Sequence, residues 1–186
     1  MKEKKIAVIG SGNAFFKDEG MGLYAAKFLK ENYTFEPDIV DIVDGGTLGF
    51  KLMPLLQEYD DVIIINTSSD NSLQPGMITV KTTDEFLNGT LVKKTANEVE
   101  IAEMLQICCL SEKMANVFVV SIMPEDIIAV EVGLCQSMKK QWYSYIQSVI
   151  KILNTLGVDA KFSEMVNLEE ILDIFANPSI EHLRGF

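Results

Sequence analysis

The sequence predicts an α/β protein built around parallel strands. Three short aliphatic runs, residues 4–10, 38–44 and 60–66, have the length and composition of strands buried on both faces. The segments between them repeat apolar residues at helical spacing, first at Met21, Leu23, Tyr24, Ala25, Phe28 and Leu29, then at Leu48, Leu52, Leu55 and Leu56. This β-α-β-α-β order is typical of parallel strands joined by right-handed crossovers.

The later elements follow from similar patterns. Pro75-Gly76 marks a turn, and residues 77–81 form a short predicted strand that no crossover helix precedes, which allows it to run antiparallel at an edge. Helical periodicity returns over residues 99–108, a further strand is predicted over residues 116–123, and a long helix from about Glu131 to Thr155. Gly157 suits the position that ends this helix.

The domain organisation that we predict is a single domain over residues 1–157 and a C-terminal extension over residues 158–186. The extension contains one amphipathic pattern, Leu168, Ile171, Leu172 and Phe175, which predicts a short helix that stops before Asn177-Pro178. The last eight residues lack periodicity.

Composition and charge exclude several classes of partner. The net charge of −11 would repel a nucleic-acid backbone or an anionic membrane. The longest apolar stretches have the length of strands and fall far short of the roughly 20 residues that cross a bilayer. The N-terminus lacks the apolar core of a signal peptide, and three cysteines without an export signal are expected to stay reduced and mostly buried. These observations predict a cytoplasmic protein and leave its oligomeric state open.

The loop after the first strand, residues 10–22, is the most informative stretch. Gly10 and Gly12 invite comparison with a dinucleotide fingerprint, but Phe15 stands where a third glycine would be needed. The triplet Asp18-Glu19-Gly20 opens the next helix, where carboxylates are favoured by the helix dipole, so simple capping is one interpretation of the triplet. In a doubly wound sheet, this loop also borders the crevice where strands one and three diverge.

A resemblance to a known family supplies a second interpretation. Gly10-Ser11-Gly12-Asn13, Asp18-Glu19-Gly20 and Asp44-Gly45-Gly46-Thr47, in this order, resemble the endopeptidases that trim the C-terminus of the large subunit of nickel-iron hydrogenases. Similar features continue to about residue 157, at Ile63-Ile64-Ile65, Pro75-Gly76, residues 101–105, Met123-Pro124-Glu125 and Val132-Gly133-Leu134. The resemblance implies a three-layer α/β/α fold of the phosphorylase/hydrolase type, with a five-stranded mixed sheet of order 2-1-3-5-4 and an antiparallel strand four.

The resemblance also implies a function and a site. Members of the family remove a C-terminal peptide from the large-subunit precursor, with nickel in that substrate as the recognition element, held by a glutamate, an aspartate and a histidine. Glu19 matches the glutamate, whereas Asn66 and Asn97 occupy the aspartate and histidine positions. The implied metal-binding residues are thus Glu19, Asn66 and Asn97, and the implied catalytic residues are Glu19 and Asn66. The implied partner is the precursor, and the implied cofactor is substrate-borne nickel or none.

The two asparagines depart from the family pattern in a way that matters chemically. A neutral amide oxygen binds divalent nickel or zinc far more weakly than a carboxylate or an imidazole does. His182, the sole histidine, could restore a ligand only if the tail folded back. Asp70, Glu98 and Glu100 are nearer carboxylates, although a solvated surface position is the favoured interpretation for each. Neither a Ser-His-Asp nor a Cys-His pair can be assembled from this sequence, so hydrolysis would depend on the metal.

Asp44, Gly45 and Gly46 are predicted to shape the crevice floor where the substrate tail lies. The competing interpretation is that glycines after a strand form a turn and need no ligand. Three functional hypotheses remain open at this point: an active endopeptidase, a non-proteolytic assembly factor or chaperone for the same subunit, and a flavodoxin-like small-molecule binder that uses the first loop as an anion site.

Overall fold

The computed structural model describes residues 4–47, 49–70, 72–89, 95–111, 113–163 and 165–178 of the chain. His182 lies outside the described residues, so the fold does not test whether this histidine could restore a metal ligand. The described strands are β1 (Ile6–Ser11), β2 (Tyr33–Glu36), β3 (Val40–Gly46), β4 (Asp61–Thr67), β5 (Ile78–Thr82), β6 (Asn116–Ile122) and β7 (Asp159–Phe162). The described helices are α1 (Met21–Asn32), α2 (Met53–Glu58), α3 (Thr83–Leu87), α4 (Ala96–Cys108), α5 (Gln136–Thr155) and α6 (Leu168–Ala176).

The main sheet has five strands in the order β3-β1-β4-β6-β5. The pairs β1–β3, β1–β4 and β4–β6 are parallel, and β5 runs antiparallel to β6 at the edge. The predicted strands one to five correspond to β1, β3, β4, β5 and β6, so the predicted sheet order and the antiparallel fourth strand are confirmed. All residues of β1 and β4 are buried, as their uninterrupted aliphatic sequences indicated.

Helices cover both faces of this sheet and give the predicted three layers. One core cluster joins Ile6, Val8, Ile63 and Ile65 to α1, α5 and α6, and the other joins Ala7, Ile9, Val62 and Ile64 to α2, α3 and α4. Successive side chains of a strand point to opposite faces, and this alternation separates the two clusters. The same alternation decides on which face the polar residues at the strand ends lie.

The described part of the C-terminal extension is tied to the first helix. β7 pairs with β2 in a two-stranded antiparallel sheet, and α6 packs on α1. The buried side chain of Asn32, at the end of α1, accepts hydrogen bonds from the backbone N–H groups of Met165 and Val166 and donates one to the Val166 carbonyl. Val158, Val166, Ile171 and Leu172 belong to the same core cluster as α1 and α5.

Several element boundaries differ from the sequence-based prediction. β2, β7 and the short helix α3 were not predicted, and the predicted helix from Glu131 begins only at Gln136. Its end agrees with the prediction, since Gly157 adopts a positive φ of 90° just beyond the helix. Cys108 is buried as expected, whereas the expectation of burial is wrong for Cys109, which is exposed.

Asp18 explains the late start of α5. This fully buried carboxylate accepts backbone N–H hydrogen bonds from Glu125 (3.0 Å), Asp126 (2.9 Å) and Cys135 (2.7 Å). Charge-assisted hydrogen bonds of this kind hold residues 125–135 in an irregular loop around the carboxylate, because a helix could not direct those three N–H groups to one side chain. The Lys17 N–H bond to the Glu131 carbonyl and the 2.7 Å ion pair between the same two residues reinforce the arrangement.

Close backbone approach fixes the start of α1 against the sheet. A Cβ atom on Gly22 would collide with the carbonyl oxygens of Ile65 and Ser11, and one on Gly12 would collide with that of Glu19. Glycine at these two positions therefore lets the loop after β1 and the first turn of α1 lie directly on the strand ends. Among the helices in the described ranges, none has the length and apolar character that crossing a membrane requires.

Replacing Asp18 with asparagine tests the importance of this clamp. The amide keeps one oxygen but turns an NH₂ group toward N–H donors, so we expect the free energy of unfolding to fall by about 3 kcal/mol. Urea denaturation followed by the fluorescence of the buried Trp142 measures the change. Asp173→Asn, on the exposed side of α6, is the matched control and should change stability by no more than about 0.5 kcal/mol. Equal stability of the two variants would contradict the assignment.

Candidate active site

The candidate site lies at the carboxyl ends of the central strands, on the face that α4 covers. Ser11, Asn66 and Ser121 continue the alternation that turns Ile9, Ile64 and Val119 toward the α4 cluster. All three are buried, and each is the last or the second-last residue of its strand, β1, β4 or β6, at the same edge of the sheet. Polar side chains thus replace aliphatic ones where the strands open into loops, which is the edge where ligands bind in open α/β sheets.

Each of the two asparagines is held by a serine from a neighbouring element. Ser11 Oγ donates to Asn97 Oδ1 at 2.7 Å, and Ser121 Oγ donates to Asn66 Oδ1 at 2.6 Å. The amino nitrogens of both amides are buried and have no hydrogen-bond partner among the residues that the structure describes. An unpaired buried polar group costs about 1–3 kcal/mol, so two such groups at one edge of the sheet indicate a place where a ligand can supply the missing partners.

A cavity of about 270 Å³ brings Glu19 and Asn97 together. Its wall is formed by the loop after β1, the segment after β3, the first turn of α4 and the loop after β6, through Asn13, Phe16, Glu19, Thr47, Thr95, Ala96, Asn97, Glu100 and Ile127. Asn66 lies behind this wall, fully buried on β4, which contacts the 3-10 helix Lys17–Gly20 that carries Glu19. Two of the three predicted metal-site residues therefore share one cavity, and the third lies in the adjoining buried layer.

Glu19 is a half-buried carboxylate in a negatively charged setting. Burial raises its pKa above the ordinary value of 4.5, and the charge of Glu98 raises the pKa further. Since folding raises this pKa, ionised Glu19 costs stability near neutral pH, and the cost disappears as the pH falls through the raised value. A cation or a proton at this carboxylate would relieve both unfavourable effects.

The first turn of α4 places Asn97 and Glu98 on the side of the helix that faces the sheet. Thr95 caps the helix by accepting the Glu98 N–H at 3.1 Å. The surface position favoured for Glu98 by the sequence is wrong: this residue is 2% exposed, and its Oε2 has no partner. The other candidate carboxylates have local partners. Glu100 lines the cavity and accepts the Gly49 N–H, and Asp70 accepts a hydrogen bond from Ser72.

The predicted substrate-binding triplet divides between two places. Gly46 adjoins the site, because its carbonyl accepts a hydrogen bond from Gly12 N–H and lies 3.1 Å from Ser11 Oγ. Gly45 is buried against Ile9. Asp44 accepts the Gly46 N–H, which is the hydrogen bond of a local turn, and lines a separate cavity of about 470 Å³ between α1, β3 and α6. Their role toward substrate stays a prediction.

The donor set does not fit a metal ion resident in the protein. The oxygens of Asn66 and Asn97 each already accept a hydrogen bond from a serine hydroxyl, and the amide atoms without a partner among the described residues are NH₂ groups, which cannot ligate a cation. Among the described residues, no three histidine, cysteine, aspartate or glutamate side chains are grouped as metal ligands. Of the three predicted metal-site residues, Glu19 alone therefore has an ionisable side chain, and its role toward a metal stays a prediction.

The loop after β1 is also unsuited to binding a phosphate. The backbone N–H groups of Gly12, Asn13, Phe16, Lys17, Asp18 and Glu19 all donate to carbonyl oxygens within the protein. An anion site made from a glycine-rich loop needs such groups free and pointing at the ligand. Because these N–H groups are already bonded, the loop lacks the anion site on which the flavodoxin-like alternative depended.

A Glu98→Gln variant tests the electrostatic coupling at the cavity. Removing the negative charge should lower the pKa of Glu19, while burial, the larger cause, keeps the pKa above 4.5. A ¹³C NMR titration of the glutamate side-chain carboxyls measures it. Glu100→Gln is the matched control in the same cavity and should shift the pKa less, because Glu100 is not among the causes of the shift. An unchanged Glu19 pKa in Glu98→Gln would rule out the coupling.

Restoring ionisable ligands tests whether Asn66 and Asn97 weaken metal binding. We expect the double variant Asn66→Asp/Asn97→His to bind Ni²⁺ roughly 100-fold more tightly than the natural chain, since it replaces two amides with a carboxylate and an imidazole. Isothermal titration calorimetry measures the affinity. Asn13→Asp adds a charge to the same cavity without altering either amide and should leave the affinity within about threefold. Equally tight Ni²⁺ binding by the natural chain would show that the two asparagines do not weaken metal binding.

Comparisons with known proteins agree with this architecture. The family model described as HycI, hydrogenase maturation protease, matches residues 23–152. The hydrogenase 2 maturation protease of Escherichia coli is 26% identical over 157 residues, which cover 84% of this chain and 94% of that protein. The HupD expression/formation protein of Bradyrhizobium diazoefficiens is 37% identical over 93 residues, and that alignment spans about half of each chain, 50% of this one and 47% of HupD.

Solved structures show the same fold. The hydrogenase maturating endopeptidase HybD of E. coli has a TM-score of 0.76 and 23% sequence identity to this chain, covering 85% of it and 97% of HybD. Its likeness to this chain covers the three layers and the mixed sheet described above. Because the family model matches well over half of the sequence and includes α4 with Asn97, the chain belongs to the HycI family of hydrogenase maturation proteases.

Proposed function

We propose that this protein is a cytoplasmic endopeptidase that removes the C-terminal peptide from the large-subunit precursor of a nickel-iron hydrogenase. The observation that carries the proposal is the family match over residues 23–152, which begins after Glu19 and includes β3, β4, β6 and the first turn of α4 beside the cavity. Related proteins from the same family are described as maturation proteases. The acidic net charge of −11 suits a partner that presents a metal ion or a basic tail.

The cavity has the size and lining that a short polypeptide segment requires. Its volume of about 270 Å³ lies just below the range of small-molecule pockets, which begins near 300 Å³, so it fits a few chain atoms better than a large cofactor. Polar groups from the loop after β1 and from α4 face each other across it, through Glu19 on one side and Asn97 on the other. A substrate backbone lying there would meet both a carboxylate and an amide.

Nickel enters this proposal as part of the substrate. The precursor would hold the ion with its own ligands, and the Glu19 carboxylate would add an anionic oxygen at the cavity. Asn66 and Asn97 contribute little to such recognition, since their oxygens are bound to Ser121 and Ser11. We therefore expect weaker discrimination between nickel-loaded and nickel-free precursor than three ionisable ligands would give.

A second function, as a non-proteolytic assembly factor for the same subunit, is favoured by the same two hydrogen bonds. If cleavage required three metal ligands from the protease, this chain would keep the docking surface and lack the chemistry. The two functions share a partner and differ in the product, so one experiment separates them.

Incubation with a purified nickel-loaded precursor tests the proposal. We expect loss of the C-terminal peptide, seen by intact-mass spectrometry, and a fall in rate of about 100-fold or more in Glu19→Gln, which keeps the shape of the side chain and removes its charge. Glu100→Gln, in the same cavity, is the control and should retain most of the rate.

The outcomes separate the hypotheses. An uncut precursor that still co-purifies with the protein would indicate the assembly factor and overturn the endopeptidase. A precursor that is neither cut nor bound would overturn both.

A further inference from the structure

We propose that Asn97, positioned by Ser11, is a hydrogen-bond donor to a carbonyl oxygen of the polypeptide bound in the Glu19 cavity. This inference rests on the proposed function and deepens it, because it assigns a role to a residue that stands at a family metal-ligand position. The ligand is an uncharged peptide carbonyl rather than a cation.

The orientation of the amide is the first step of the argument. Asn97 is 3% exposed and lines the same cavity as Glu19. Its Oδ1 accepts a 2.7 Å hydrogen bond from Ser11 Oγ, while its Nδ2 has no partner. The oxygen already accepts from Ser11, whereas the buried amino nitrogen is the part of this amide that still lacks a hydrogen-bond partner among the described residues. An NH₂ group donates hydrogen bonds and has no lone pair for a metal.

Ser11 sets this orientation from the end of β1. Its hydroxyl carries one hydrogen and lies 2.7 Å from Asn97 Oδ1 and 3.1 Å from the Gly46 carbonyl, so the shorter contact takes the hydrogen. Ser11 is fully buried, and it pairs with Gly46 of β3 just beyond a register shift between Gly10 and Ser11. It acts through Asn97 and is a positioning residue.

The surroundings favour an acceptor oxygen over a cation. Asn97 lies in the first turn of α4, a helix of 13 residues whose N-terminus carries partial positive charge. That field attracts a carbonyl oxygen and the negative charge that develops on it. The Ser121–Asn66 pair repeats the arrangement one strand away, with a second unpaired amino group, but Asn66 does not line the cavity.

The chemistry that follows is addition of water to the polarised peptide bond. The water oxygen bonds to the carbonyl carbon while Glu19 takes one water proton, and the π electron pair moves onto the carbonyl oxygen, where Asn97 donates its hydrogen bond. When that pair returns, the C–N bond breaks, and Glu19 delivers the proton to the departing nitrogen. The products are an amine and a carboxylic acid, and Glu19 returns to its initial state. Asn97 supplies the stabilisation that an oxyanion-hole donor provides.

Three variants test the assignment on the nickel-loaded precursor. Asn97→Asp keeps the shape and the acceptor for Ser11 but removes the donor, so kcat should fall about 100-fold with KM changed less than about threefold. Ser11→Ala should lower kcat about tenfold, and Ser11→Thr, which retains the hydroxyl, should restore most of it. Loss of kcat with rescue by threonine is a pattern that mere destabilisation does not produce.

A binding measurement keeps the inference testable if no cleavage occurs. The side-chain NH₂ signals of Asn97 in ¹⁵N-labelled protein, assigned with Asn97→Asp, should shift on addition of a synthetic peptide that spans the cut in the precursor. They should stay unchanged on addition of NiCl₂ alone.

Three results would overturn the inference: an unshifted Asn97 signal with peptide bound, Asn97→Asp with undiminished kcat, or tighter Ni²⁺ binding and faster turnover in Asn97→Asp. A wild-type chain that leaves the precursor uncut while the peptide shifts the Asn97 signal would instead refute the proposed endopeptidase and retain the donor role.

Discussion

The arrangement of the site depends on one buried carboxylate that is not itself part of the chemistry. Asp18 collects three backbone N–H groups from the loop after β6 and thereby joins it to the loop after β1. Glu19 is the next residue, so its direction is set by the same contacts. The bonds are between a charge and the main chain in a dry interior, where such hydrogen bonds are strong and hard to replace. Removing them would release both walls of the cavity at once.

The two asparagines at family ligand positions form an ordered arrangement. Each is fixed by a serine hydroxyl, and each leaves an amino group without a partner in the same polar layer. The layer resembles a donor surface at the positive end of α4, with the carboxylate of Glu19 in the same cavity as Asn97. A site with amide donors and a carboxylate suits a dipolar group, with its oxygen toward the amides, better than it suits a bare cation.

Most of the fold was predictable because its signals are local. The aliphatic runs of β1, β4 and β6 and the apolar spacing of α1 and α4 need no knowledge of their neighbours. β2 and β7 were missed because each has four residues, half or more exposed, that acquire order only by pairing with each other. The start of α5 was misplaced since the residue that prevents helix formation lies 117 positions earlier in the chain.

The site was predictable only in part, for a related reason. The family resemblance predicted Glu19, Asn66 and Asn97 as site residues, and their role stays a prediction, whereas the serines that orient the asparagines lie 55 and 86 positions away and carry no motif. Glu98 was misjudged because a glutamate three residues after a capping threonine usually faces solvent at a helix start. The burial of Glu98 can be recognised only when the face of α4 that packs on the sheet is known.

The way Asp18 holds its partner loop has an evolutionary consequence. Since the contacts use main-chain N–H groups, the side chains of residues 127–130 take no part in them and are free to change. Ile128 and Val130 are 82% and 76% exposed beside the cavity that Ile127 helps to line. Substitution at these positions can therefore diversify the rim of the cavity among related proteins while the geometry around the carboxylate stays constant.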